Sequence, residues 1–280
     1  MTYNEPDFVP IWTRHYARHV GAENCFLFDH GTDDGSTDRL AGFNVIRLPR
    51  SPFNEPSRRR FVNAFCTSLL EYYDFVVSAD IDEIVLPDPD QHATLAAYCA
   101  APRGPVTNAI GLNVQHVPSL EPPLDLTQPI TAQRRYVWLS STMCKPLLIR
   151  APVTWSPGGH CCEHPVRFDG LYMFHLRWFD LGLGLRRLAK TRATPRSDLP
   201  TGAAYQRLGD ADFTALFHRL ADLPRRGHVQ FDPARGAIMA EMLRKVAASW
   251  VPETHEAHRI SLTIASNELW PIPRRFAGAF

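Results

Sequence analysis

Two carboxylates separated by one residue, Asp80 and Asp82, follow a short apolar run in the first third of the chain. Side chains spaced in this way after a buried strand can turn toward one divalent cation, because Mg²⁺ and Mn²⁺ prefer carboxylate oxygens and bridge readily to phosphate oxygens. A cation held there would neutralise a diphosphate as it leaves. The same pattern also occurs in turns that cap backbone amides. The apolar run before the pair and Glu83 after it favour a metal site.

A second polar segment, residues 29–38, is rich in Asp, Gly, Ser and Thr. Such a loop suits close approach to a nucleotide, and Asp29 lies where an apolar run ends. We expect its carboxylate to accept hydrogen bonds from a base or from a ribose hydroxyl. The alternative is a turn followed by a helix cap at Asp34 or Ser36.

Histidines occur at two places further along the chain. The run His-Cys-Cys-Glu-His at 160–164 matches no usual structural zinc pattern, and adjacent cysteines rarely chelate one ion tetrahedrally. His175 ends an apolar run, which makes it a candidate for a further ligand of the metal or of a phosphate. A hydrogen-bonded, half-buried histidine is the alternative at this position.

The apolar periodicity predicts the elements that must position these side chains. Helical spacing covers 6–20, 56–73 and 92–101, and short apolar runs cover 25–28, 45–48 and 74–79. This alternation predicts an α/β fold with a mostly parallel sheet covered by helices. Ligands bind at the carboxyl ends of the strands in such sheets, so Asp29 and Asp80 are expected to face one crevice.

Composition argues against several classes of protein. The 280 residues carry 30 basic and 29 acidic side chains, for a net charge of +1, whereas a nucleic-acid-binding protein usually has a basic excess. No apolar run reaches the roughly 18 residues that cross a bilayer. Six irregularly spaced cysteines favour reduced thiols in a cytoplasmic protein. Peripheral attachment to the inner face of the membrane, through a helix or a partner, stays open.

In their order and spacing, these motifs resemble those of the family-2-type glycosyltransferases, which have a GT-A fold. The resemblance covers residues 3–86 and rests on Tyr3-Asn4-Glu5, Trp12 with His15, Phe26-Leu27-Phe28-Asp29, Asp33-Asp34-Gly35-Ser36-Thr37-Asp38 and Ala79-Asp80-Ile81-Asp82-Glu83. The polar loop matches the family twice, without a gap from Asp29 and letter for letter from Asp33. We prefer the match from Asp29 because this residue ends the predicted strand.

The resemblance implies an inverting transfer from a nucleotide sugar, often a UDP sugar, with Mn²⁺ or Mg²⁺ as the cofactor. It assigns Asp80 and Asp82 to the metal and the diphosphate. It assigns Asn4, Glu5 and Asp29 to the nucleoside. The acceptor that it implies is a glycan, a lipid-linked glycan or another molecule.

Four further residues receive roles as expectations within this family. Late histidines ligate the metal in several GT-A enzymes, which is the role expected of His175. Arg60, near the start of its predicted helix, could reach the diphosphate, with a solvated helix face as the alternative. An inverting transferase needs a general base near the acceptor hydroxyl. Glu163 is the first candidate and Asp180 the second, and either could equally be a surface carboxylate.

The pattern of predicted elements changes along the chain and divides it into three parts. We assign residues 1–105 to the nucleotide-sugar-binding part and 106–200 to the acceptor side of the same domain. Residues 201–280 are predicted to form a C-terminal helical extension, of which the last stretch, 268–280, looks like a tail.

Three other functions use similar motifs. A haloacid-dehalogenase-like phosphatase also has Asp-x-Asp after a strand, but it requires Thr or Val where Ile84 stands and places the motif on its first strand. Nucleotidyltransferases usually carry a glycine-rich phosphate loop near the start, which this sequence lacks. A non-catalytic nucleotide- or sugar-binding relative of the transferase fold remains as the alternative.

Overall fold

The computed structural model describes residues 1–101, 103–198, 204–232, 234, 236–254, 257–260 and 263–280. Seven α-helices lie within these residues: α1 (Val9–Val20), α2 (Glu55–Leu69), α3 (Leu95–Cys99), α4 (Ile130–Gln133), α5 (Leu181–Ala193), α6 (Asp210–Ala221) and α7 (Ala237–Ala248). The strands are β1 (Phe26–Asp29), β2 (Asn44–Arg47), β3 (Val76–Val77), β4 (Glu83–Pro87), β5 (Val106–Gln115), β6 (Tyr136–Leu139), β7 (Pro146–Ile149), β8 (Phe168–Trp178), β9 (Trp250–Thr254), β10 (Ala257–Ile260) and β11 (Trp270–Pro271). The predicted α/β class is therefore confirmed. None of these helices combines the length and the apolarity that a bilayer crossing needs.

The largest sheet is built around β5, which is buried along its whole length. On one edge of β5, β8 runs parallel to it, and β4 pairs with β8 in the antiparallel direction. On the other edge, β6 and β7 pair with successive parts of β5, both in the antiparallel direction. Strand β11 pairs with β6 and strand β3 pairs with β7, again antiparallel. Two smaller sheets consist of the parallel pair β1–β2 and the antiparallel pair β9–β10.

The prediction of a mostly parallel sheet is wrong, because the β5–β8 pair is the one parallel pair that the described residues contribute to the seven-stranded sheet. A parallel neighbour needs a crossover of a dozen or more residues, usually a helix. Instead, β6 passes to β7 through the short segment 140–145, which crosses β5 at Gly111. A Cβ atom on Gly111 would overlap the Met143 carbonyl group, so this close crossing requires glycine.

The segment predicted as a tail, 268–280, is part of the core. Trp270 extends the sheet by pairing with Val137 of β6, and Trp270 and Phe276 are fully buried. Phe280 is 6% exposed and packs against Phe174 of β8. The region 201–280 contains the helices α6 and α7 and also the strands β9, β10 and β11.

Helix α1 is anchored to the strand that follows the acidic motif. The Tyr16 hydroxyl donates to the Glu83 carbonyl oxygen at 2.9 Å and accepts from the Val85 amide at 3.1 Å. From the same helix, His15 donates from Nε2 to the Val85 carbonyl oxygen at 2.8 Å. These bonds fix the start of β4 and thereby the position of the acidic motif before it.

Candidate functional site

The two acidic residues lie in a tight turn that joins β3 to β4. The Glu83 amide donates to the Asp80 carbonyl oxygen at 3.1 Å, and the Asp80 amide donates to the Glu83 carboxylate at 3.0 Å. Ile81 is 5% exposed and packs in the main core. With Ile81 anchored in this way, the Asp80 carboxylate contacts Arg58 of α2, and the Asp82 carboxylate contacts Arg187 of α5 and His175 of β8. The side chains that contact these two carboxylates are called the crevice below.

Asp80 contacts two cations. Arg58 of α2 donates from Nη2 to Asp80 Oδ1, and Lys145 Nζ lies 3.5 Å from Asp80 Oδ2. Burial would raise the pKa of the Asp80 carboxyl, but the positive charges of Arg58 and Lys145 more than offset it and hold this pKa well below its usual range. Lys145 also pairs with Glu83 at 2.5 Å, and Arg58 pairs with Glu55 at 3.2 Å.

Asp82 contacts Arg187 of α5 and His175 of β8. Arg187 donates from Nη1 to Asp82 Oδ2, and His175 Nε2 lies 3.2 Å from the same oxygen. The other ring nitrogen of His175, Nδ1, donates to the amide oxygen of Asn113 at 2.8 Å, which fixes Nε2 as the nitrogen that faces Asp82. Burial opposes ionisation of Asp82, but Arg187 and His175 hold its pKa well below the usual range.

Glu5 and Asn4 join the crevice through helix α5. Glu5 pairs with Arg187 Nε at 3.2 Å and with Lys190 Nζ at 2.5 Å. Lys190 also donates to the Asn4 carbonyl oxygen at 2.8 Å, and the Asn4 side chain donates to Asp33 at 2.7 Å. The left-handed backbone of Asn4, with a φ of 49°, turns the chain at this point. Asn4 and Glu5, which are predicted to bind the nucleotide-sugar donor, are therefore linked to Asp82 through Lys190 and Arg187 of α5.

Asp29 organises the polar loop that follows β1. Its carboxylate accepts from the Thr32 amide at 2.7 Å and from the Thr37 hydroxyl at 3.1 Å, and Arg47 Nε lies 3.4 Å away. Asp29 is 1% exposed. Burial would raise the pKa of Asp29, and the hydrogen bonds from Thr32 and Thr37 lower it below its usual value. The predicted contact of Asp29 with a nucleoside stays a prediction, and its visible role is to shape the loop.

Arg60 and Glu163 lie away from the acidic turn. The exposed Arg60 guanidinium donates to the Ser57 hydroxyl at 3.0 Å, and the exposed Glu163 carboxylate accepts from the Thr154 amide at 2.9 Å. Both side chains line an open cleft of about 520 Å³ whose lining does not include Asp80. The structure therefore does not bring Arg60 to the predicted diphosphate site, and it does not bring Glu163 to the acidic turn.

Asp180 caps helix α5. Its Oδ1 accepts from the Leu183 amide at 2.9 Å, and its Oδ2 lies 3.7 Å from Nη2 of the fully buried Arg134. A carboxylate that satisfies a free amide at the start of a helix has a structural explanation. Asp180 thus positions the helix that carries Arg187 and Lys190.

The cations of the crevice are the residues that the sequence analysis missed. Arg58 belongs to a run of three arginines, Arg58 to Arg60, that resembles a solvated helix face, although Arg59 of the same run lies on the buried face of α2 with Val62 and Cys66. Arg187 and Lys190, one turn apart on α5, belong to a basic run that resembles an ordinary solvated helix face. Nothing in the local sequence shows that this face meets carboxylates from distant segments.

Two cavities reach Asp80. One, of about 350 Å³, lies between β1 and β3 and is polar at the end formed by Arg58 and Asp80. The rest of its wall is largely apolar and includes Phe28, Val62, Phe65, Cys66 and Val76. The other, of about 20 Å³, is lined by Asp80, Glu83 and Lys145 among others, and its volume suits a single water molecule.

Asp82 and His175 are two side chains near the acidic turn that carry the atoms a divalent cation prefers. The described residues contain no group of three or more His, Cys, Asp or Glu side chains that could hold a metal by themselves. Mg²⁺ is commonly held by one or two carboxylates together with water and substrate phosphates. Asp82 and His175 offer an oxygen and a nitrogen 3.2 Å apart. The bond from His175 to Asn113 is the orienting contact that a metal-binding histidine usually makes through its other nitrogen.

No protein-family model, curated protein or solved structure matches the chain. The chemistry of the crevice is therefore the basis for a functional assignment.

Proposed function

We propose that the protein is a metal-dependent glycosyltransferase that moves a sugar from a nucleotide-sugar donor, with inversion and with a UDP sugar as the first choice. The acceptor is a glycan, a lipid-linked glycan or another hydroxyl-bearing molecule. The proposal includes a GT-A type of fold and a cytoplasmic location that allows peripheral contact with the membrane. The six cysteines support this location, because all are buried as free thiols.

One observation carries the proposal. Asp82 and His175 come from distant segments, and both are expected to bind metal from sequence alone. Their side chains lie 3.2 Å apart. A structural role for each residue separately would not require this convergence.

Different residues of the chain would contact different parts of the nucleotide-sugar donor. Asp82 and His175 would hold the cation, with Asp80 beside them. When bound, the cation would neutralise the charge that develops on the leaving diphosphate. Arg187 and Lys190 would donate to phosphate oxygens, because arginine and lysine are the usual partners of such groups. Asn4 and the loop organised by Asp29 would lie on the nucleoside side.

A non-catalytic nucleotide or sugar binder is the second candidate, and a specific observation favours it. Asp80, Asp82, Glu5 and Glu83 each already have a cationic partner. Neither of the two candidate bases, Glu163 and Asp180, contacts these four acidic residues. A protein that binds a nucleotide sugar without turning it over is compatible with such a crevice.

Release of UDP tests the proposal. The protein is incubated with UDP-glucose, UDP-galactose, UDP-N-acetylglucosamine, UDP-glucuronate or GDP-mannose, with Mn²⁺ or with EDTA, and the free nucleoside diphosphate is measured. We expect release from one donor that requires Mn²⁺ and falls on the order of 100-fold in Asp82→Asn. The matched control is Asp212→Asn, an exposed residue of α6, which should release UDP like the wild type.

Two results would contradict transfer. Release that persists in EDTA would show that the reaction does not require a metal. Release that is unchanged in Asp82→Asn would show that the proposed site is not where the reaction takes place. Tight UDP binding without release from any of the five donors would favour the binder.

A further inference from the structure

We infer that Arg187 is an internal counter-ion that occupies Asp82 in the free protein and moves to the donor diphosphate when the cation binds. This inference rests on the proposed function and deepens it by coupling the metal to the nucleotide. It predicts that the cation alone binds weakly and that the diphosphate makes the site available.

The contacts of Arg187 place it where a cation would have to bind. Its Nη1 donates to Asp82 Oδ2, the same oxygen that faces His175 Nε2 at 3.2 Å. Its Nε donates to Glu5 at 3.2 Å, and its guanidinium lies over the Phe8 ring, 4.6 Å from the ring centroid. The side chain is 16% exposed, so it is held in the crevice and not extended into solvent.

The charges around Asp82 are balanced without a metal. Asp82 and Glu5 supply two negative charges, and Arg187 and Lys190 supply two positive charges. A divalent cation added beside Asp82 would stand close to the guanidinium. Repulsion between the cation and the guanidinium would disfavour both at the same carboxylate oxygen, because like charges at close range repel strongly where little water screens them. The cation therefore competes with Arg187 for Asp82.

A diphosphate relieves this competition. It brings negative charge for the guanidinium, and arginine matches the geometry of phosphate oxygens with two parallel bonds. Lys190 lies one helical turn from Arg187 on α5, so both cations can turn toward the same group. Asp82 is then left to the cation and His175. Cation and diphosphate should consequently bind together more tightly than either binds alone.

The test compares Arg187→Gln with Arg186→Gln. Arg186 is the adjacent arginine of the same helix, but its side chain is 65% exposed and pairs with Asp7, so it is a matched control. Binding of Mn²⁺ alone is followed by the electron paramagnetic resonance signal of the free ion. Binding of UDP in saturating Mn²⁺ is followed by calorimetry. Melting temperatures establish that each variant is folded.

We expect the two affinities of Arg187→Gln to change in opposite directions. Mn²⁺ alone should bind about tenfold more tightly because its competitor is gone, and UDP should bind about tenfold more weakly because a charge-assisted bond is lost. Arg186→Gln should match the wild type in both. Arg187→Lys, which keeps a charge but cannot bridge Asp82 and Glu5 in the same way, should lie between them and serves as the variant of choice if Arg187→Gln does not fold.

The inference is wrong if Mn²⁺ alone binds Arg187→Gln no more tightly than the wild type, or if UDP affinity does not fall. A purely structural ion pair would weaken both ligands together. If wild-type UDP binding depends on Mn²⁺ and on Asp82 while these opposite changes are missing, only the counter-ion role fails. If wild-type UDP binding is independent of Mn²⁺, the proposed function itself fails.

Discussion

The Nε2 atom of His175 on β8 lies 3.2 Å from Oδ2 of Asp82 in the turn before β4, and the antiparallel pairing of β4 with β8 is what brings them together. Glu83, the next residue after Asp82, is the direct cross-strand partner of His175. The sheet register therefore fixes the distance between the two predicted metal ligands. A change in the register of β4 against β8 would separate them.

Removal of the α5 cap should lower stability without a specific effect on the crevice. Asp180→Ala loses the bond to the Leu183 amide, and the loss of a helix cap typically costs about 1 kcal/mol. Asp180→Ser can still cap the helix and should retain most of the stability. The measurement is urea denaturation of the three proteins. A selective loss of UDP release in a fully stable Asp180→Ser variant would instead restore Asp180 as a candidate base.

Lys145 should be required for stability because it pairs with the buried carboxylate of Glu83 and with the half-buried carboxylate of Asp80. Lys145→Met leaves Glu83, which is 2% exposed, without its cation, and breaking a buried ion pair from one side costs roughly 3–5 kcal/mol. The double variant Lys145→Met with Glu83→Gln should recover part of this loss. Lys245→Met removes a lysine that is 57% exposed and serves as the control. Chemical denaturation that finds Lys145→Met as stable as Lys245→Met would contradict this account.

Stability should fall with acid because two buried histidines are neutral in the fold. Burial lowers the pKa of His15 to about 3 and that of His19 to about 4, and their rings lie 4.3 Å apart. The stabilisation is complete above the unfolded pKa near 6.5 and is lost as the pH falls toward the folded values. Each of the two histidines should contribute a slope of about 1.4 kcal/mol per pH unit well below pH 6.5, because the unfolded chain binds a proton there that the folded protein does not.

Denaturation at pH 7, 6 and 5 measures this slope. The variant with His15→Gln and His19→Gln should be less stable at pH 7 but should show a shallower slope. His228→Gln removes an exposed histidine and should keep the slope of the wild type. Equal slopes in all three proteins would show that other groups dominate the acid response.

Much of the local structure could be predicted from the sequence, because it depends on local patterns. The apolar runs 25–28 and 45–48 overlap β1 and β2, and the helical spacings over 6–20 and 56–73 overlap α1 and α2. Strand direction could not be predicted in this way, because it depends on which distant strands pair.

The site was predictable to the extent that its members have a chemical signature. Asp82 and His175 have the signature of predicted metal ligands, and the fold brings their side chains together. Arg187 does not, because its role comes from pairing with Asp82 and Glu5, which lie far away in the chain. Asp180 was assigned as a candidate base because a carboxylate can serve either as a general base or as a helix cap, and the local sequence does not distinguish the two.

Calorimetric titration of UDP, with Mn²⁺ and with EDTA, tests most directly whether Asp82 and His175 hold a cation for a nucleotide diphosphate. The account predicts binding that requires Mn²⁺ and weakens at least about tenfold, or about 1.4 kcal/mol, in both Asp82→Asn and His175→Gln. The Asp212→Asn control should bind like the wild type. UDP binding of equal strength in EDTA, or unchanged binding in either site variant, would contradict the central claim.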